Sequence, residues 1–138
     1  MKKYVIFGIK VVAILALISV GYYFFYLKPH QNEVKLASIH YSNLVQNRTA
    51  YINLAKLDPS DPSFEFQKSN LVGIIKETNA KGLEKPINSE EKRILEAQSV
   101  ILEKVFATKS YEEGVAILKS DKSIKLLKDM GKVMEKMR

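Results

Sequence analysis

The side chains able to do chemistry in this chain are few: two histidines, His30 and His40, and two adjacent carboxylate pairs, Glu90/Glu91 and Glu112/Glu113. The histidines stand ten residues apart, with no third ligand at a recognised metal-binding spacing, so no metal site is expected. His30 falls in the polar stretch "KPHQN" and reads as solvated, and His40 lies off the apolar stripe of its segment. Covalent catalysis needs a nucleophile with a positioned base and an orienting group, and no such set is legible. Cysteine is absent, which excludes a disulfide framework and any thiolate site. Both glutamate pairs occupy the first turns of expected helices, where carboxylates favour the positive end of the helix dipole. "DPSDP" offers two carboxylates, short of the six to eight oxygens calcium takes, and reads as a turn. The triplet "NRT" at Asn47 is a glycosylation sequon, but it lies inside an expected helix rather than a loop. These residues predict no cofactor, no metal and no catalytic activity.

The segments that carry these residues are patterned as helices. In "NEVKLASIHYSNLVQNRTAYINLAKLD" the apolar stripe runs through Ala37, Tyr41, Leu44, Val45, Ile52 and Ala55, interrupted by Arg48, and predicts a long helix from Val34 to Leu57. Two Asp-Pro steps in "DPSDPS" close it. Ser63 is the expected cap of a second helix through Phe64, Leu71, Ile74 and Ile75, with Gly82 just past its end in a Schellman-type turn. Asn88 with Glu91 three residues on opens the clearest helix, whose apolar side holds Ile94, Leu95, Ile101, Leu102, Val105 and Phe106. Ser110 and Glu113 open a short helix in the same way. A last helix begins near Asp121, with Ile124, Leu127, Val133, Met134 and Met137 on one side and Lys122, Lys125, Lys132 and Lys136 mostly opposite. Met130, Met134 and Met137 are expected to fill the end of the core. The Val34–Leu57 helix is expected to pack on "KRILEAQSVILEKVF", since these carry the longest apolar stripes.

The N-terminus sets the class of the protein. Val11 to Leu27 are 17 residues without a charge, roughly 25 Å of helix, and counting from Tyr4 the span is roughly 36 Å against a hydrocarbon core of about 30 Å. Ser19 and Gly21 supply a signal-peptidase-like pair, but cutting there leaves a chain beginning "YYFFYLK" with nothing to bury it. An uncut anchor is expected over residues 1–28, followed by a soluble domain over 29–138. Tyr22, Tyr23 and Tyr26 suit the membrane–water interface, where amphipathic rings settle, and Lys10 and Lys28 reach the headgroups from the two ends. Lys28 and Pro29 mark the expected exit, with the proline letting the helix stop or bend. Lys2, Lys3, Lys10 and the α-amino group outweigh Lys28 and Lys35, which favours a cytoplasmic N-terminus and an extracytoplasmic C-terminal domain.

The net charge of +7 divides unevenly. Residues 29–138 hold eighteen basic and fifteen acidic residues, a net +3, which argues against a nucleic-acid partner. The expected architecture is all-α: a single transmembrane helix followed by a bundle of four to five helices, with proline, glycine and cap residues too frequent for an extended rod. Lysine and isoleucine abundance suggests a prokaryotic plasma membrane. The function expected from these features is a single-pass envelope protein that binds or scaffolds a protein partner. The alternatives are a binder of anionic lipid headgroups or polymer through Lys122, Lys125, Lys132 and Lys136, and a secreted helical domain if the leader is cut.

Overall fold

The computed structural model describes residues 2–138, and its regular elements are helical throughout, with no strand among the described residues. In chain order they are α1 (Lys2–Tyr22), a π-helical stretch (Tyr23–Leu27), α2 (Lys28–Leu54), α3 (Phe64–Glu84), α4 (Ser89–Phe106), α5 (Tyr111–Leu118) and α6 (Asp121–Lys136). The chain divides into two compact units, one ending at Leu36 and one running from Ala37 to Arg138.

In the first unit the 21 residues of α1 make about 31 Å of helix, enough to cross a hydrocarbon core. Its apolar side chains are distributed all round the axis and exposed, and the helix is long and apolar enough to span a membrane. Of the two outcomes expected at Pro29, a stop or a bend, the helix does not stop: α2 continues through it. Proline has no N–H to give the carbonyl four residues back and its ring crowds that carbonyl, which here belongs to Phe25. The chain answers by widening the preceding turn: Lys28 N–H bonds the carbonyl of Tyr23, five residues back, and regular helix resumes.

In the second unit α2 to α6 enclose one core that includes Leu44, Tyr51, Ile75, Leu95, Leu102, Leu126 and Met130. The buried face of α2 differs from the predicted stripe. Its buried residues include His40, Leu44, Asn47, Tyr51 and Leu54, spaced 4-3-4-3, whereas Ala37, Tyr41, Val45, Ile52 and Ala55 flank that line half-buried. Three of these five positions are polar or amphipathic, so a stripe drawn through apolar residues alone lands beside the true one. α4 repeats the spacing with Glu91, Ile94, Gln98, Ile101 and Val105.

Further expectations need correction. Gly82 is not a helix terminus: α3 continues to Glu84 and no residue has positive φ among the described residues. Glycine suits the site because a Cβ there would meet Leu95 Cδ1 of α4 and force that buried side chain to shift. Ser63 precedes α3 but makes no capping bond; its hydroxyl goes to Asp61 Oδ1 at 2.7 Å. Phe106 and Ile124 are exposed, Phe106 lying under Lys76 Nζ at 4.6 Å from the ring centre. α2 ends at Leu54, not Leu57, with the Tyr111 hydroxyl donating to the freed Leu54 carbonyl at 2.6 Å. Asn88 does cap α4, accepting from Glu91 N–H at 2.9 Å, and Ser110 caps α5 through Glu113 N–H at 3.2 Å. The "DPSDPS" segment is a double turn: Asp58 Oδ1 accepts from Ser60 N–H and Asp61 Oδ1 from Ser63 N–H. The serine hydrogen bonds hold both carboxyls below their usual range. Met130 is fully buried, with Met134 and Met137 packed against the core.

Candidate functional site

Glu91 and His40, a buried acid–base pair among the described residues, meet in the interior between α4 and α2. His40 Nδ1 lies 2.7 Å from Glu91 Oε1, with both side chains buried. Ile87 N–H donates to the same Glu91 oxygen at 3.3 Å, and Glu91 Oε2 has no hydrogen-bond partner. Seven residues further along both helices, Asn47 and Gln98 exchange a reciprocal pair of amide bonds at 2.9 and 2.6 Å. Both pairs share one offset, 51 residues, so α2 and α4 run parallel in a single register.

Asn79 of α3 closes the network, donating to Gln98 Oε1 at 2.9 Å and to the Leu95 carbonyl at 3.0 Å, while Asn43 donates to the Thr78 carbonyl. On the α6 side, Tyr51 and Ser123 share a 2.7 Å hydroxyl bond and Arg48 Nε donates to the Leu127 carbonyl. Burial holds the Tyr51 hydroxyl above the ordinary tyrosine range, against the smaller opposite pull of the Ser123 bond. Every helix packed on α2 is therefore fastened to it by at least one polar side chain. Asn47, a sequon residue in the sequence, is fully buried, which leaves no room for a glycan.

Chemically the His40–Glu91 pair has the residue types of an acid–base dyad but no surface to act on. The groove between α3 and α5, about 310 Å³, is lined by residues such as Lys68, Lys76, Phe106 and Tyr111; the groove between α4 and α6, about 330 Å³, by another set altogether. Neither includes the pair, and no serine, threonine or cysteine is bonded to it. No group of three or more His, Cys, Asp or Glu able to hold a metal ion occurs among the described residues.

The predicted basic residues separate into distinct environments. Lys122 and Lys125 are exposed on the rim of the α4–α6 groove, together with Arg93 and Lys104 of α4. Lys132 is exposed away from it, and Lys136 is engaged with Glu90, Nζ to Oε1 3.0 Å. That last pair joins the α6 C-terminus to the α4 N-terminus, so these two helices are antiparallel. In the first unit Tyr22 and Tyr26 stack at 5.2 Å, Lys28 Nζ lies 5.6 Å from the Phe24 ring centre, and Tyr23, like Lys10, is exposed.

The chain matches no known protein family. Among curated proteins and solved structures, no significant match to it exists either. Glu91, read from the sequence as a first-turn carboxylate, is instead buried against His40. The residues missed from the sequence, Gln98, Asn79 and Arg93, are polar or charged, and only the seven-residue spacing of Gln98 from Glu91 or a place beside an apolar stripe hinted at a buried or groove-lining position.

Proposed function

We propose that the protein is a single-pass membrane-anchored helical module that binds a protein partner in the envelope of a prokaryotic cell, with no catalysis of its own. The observation that carries this reading is the run of large apolar side chains from Tyr4 to Tyr26, all of which stand exposed around the helix with nothing among the described residues to cover them. Lipid is the medium that such a surface suits, at about 25 cal/mol for each Å² removed from water. Tyr22, Tyr23, Tyr26 and Lys28 then occupy the outer interface and Lys10 reaches the inner one, with the N-terminus cytoplasmic and residues 37–138 outside. A burial-locked His40–Glu91 pair with no adjacent nucleophile supports binding rather than chemistry.

Carbonate-washed membranes should retain the full-length chain, with mass spectrometry finding the N-terminal peptide, and protease added to intact spheroplasts should digest only the C-terminal unit. A soluble product beginning at Tyr22 would replace the anchor with a secreted domain, and protection of the C-terminal unit would invert the topology. A second reading, contact with anionic headgroups through α6, is favoured by the exposure of Lys122, Lys125 and Lys132. It requires vesicle binding that weakens steeply with salt.

A further inference from the structure

The groove between α4 and α6 combines an apolar floor with a predominantly basic rim. Ile94, Ile101 and Leu126 form its floor and are at most 8% exposed, while Val100 stands over it at 53% exposed. Arg93, Ala97, Val100 and Lys104 follow one another at 4-3-4 spacing along α4, and Lys122 and Lys125 face them from α6. None of the four cations makes a salt bridge among the described residues, and Asp129 is the sole acid lining the groove. Lys136, on the same helix, has its glutamate; these four do not.

From this arrangement we propose that the α4–α6 groove is the docking site for an acidic amphipathic helix of the partner protein, which deepens the binding-module reading and rests on it. Two antiparallel helices leave between them a furrow into which a third helix can lay an apolar face, read out as residues at i, i+3, i+4 and i+7. The stretch from Arg93 to Lys104 is about 16 Å long, so the docked segment engages roughly three turns. Its apolar face covers Val100 and the floor, and aspartates or glutamates flanking that face meet cations from both rims. Charge complementarity selects this occupant over a second copy of the chain bearing the same basic rim. The recessed floor selects it over a bilayer, whose flat surface reaches the lysines but not Ile94, Ile101 or Leu126.

The test places a photo-crosslinking amino acid at Val100 in the full-length chain, in the cells that naturally produce it, with Phe66, 75% exposed on α3, as the reference position. The expected adduct at Val100 maps to a protein segment with a helical apolar stripe flanked by acidic residues. The double substitution Lys104→Glu with Lys125→Glu should lower its yield by about tenfold or more while leaving the melting temperature and the Phe66 pattern unchanged. An adduct with lipid or nucleic acid, one with a basic or non-helical segment, or a yield indifferent to the charge reversal overturns the proposal. Protein adducts at Phe66 with none at Val100 remove the groove and keep the binding module, whereas no protein adduct at either position removes both.

Discussion

At the scale of single residues, the interior of the second unit is held in place by amides and hydroxyls as much as by methyl groups. Gln98 illustrates the point: its carbonyl oxygen accepts from both Asn47 and Asn79, and its amide returns a bond to Asn47, with all three residues buried. A buried polar group deprived of its partner bears its full desolvation cost, on the order of 1–3 kcal/mol, whereas removing both partners together can be nearly neutral. Asn47→Leu and Gln98→Leu should therefore each lower stability by about that amount in chemical denaturation, and the double variant should lose less than the two losses combined. Strict additivity would mean that the two amides are not bonded to each other. The sequence reading placed neither residue in the core, because hydropathy counts an amide as surface, although Asn47 stands seven residues after His40 and Gln98 seven after Glu91. Arg93 escaped for the opposite reason: a surface arginine is unremarkable until a groove is known to run beside it.

At the scale of elements, close approach and register explain what propensity does not. α3 contains glycines at 73 and 82, of which the sequence singled out only Gly82, as a helix end. Gly73 has open space where a Cβ would go, while at Gly82 a Cβ would meet the fully buried Leu95. Gly73→Ala should stabilise the protein by about 0.5–1 kcal/mol by reducing backbone freedom in the unfolded chain. Gly82→Ala should destabilise it by about 1–3 kcal/mol through overpacking against α4. Thermal melts of the two variants moving in the same direction would refute the close packing of α3 on α4. The capping residues Asn88 and Ser110 were legible because caps are local, needing only three residues and one side chain. The end of α3 was not, because glycine serves equally for a left-handed turn and for a tight helix crossing, and only the neighbour distinguishes the two. Similarly, the stop or bend expected at Pro29 is a π-helical turn before the proline, in which Lys28 N–H reaches the Tyr23 carbonyl and the helix continues.

At the scale of the whole molecule, every residue of the hydrophobic core lies beyond Ala37, as does each of the long-range polar bonds that fasten α2. A fragment of residues 37–138 should consequently be soluble and unfold in one cooperative transition, followed by circular dichroism. A molten fragment, helical but without a cooperative melt, would show that the first unit supplies packing. What the sequence determined by itself was whatever depends on neighbours along the chain: the helical class, the apolar N-terminal span, the start of α4 and α5, and the turn at "DPSDPS". These rest on periodicity, on caps and on side chains bonding their own backbone, all settled within a few residues. Only the tertiary structure decided which face of α2 is buried, that His40 meets Glu91 across 51 residues, and that Arg93 and Lys104 join Lys122 and Lys125 around one groove. Burial of a polar residue is favourable only when a partner arrives from elsewhere in the chain, and the partner's arrival is a property of the packed helices, not of any one of them.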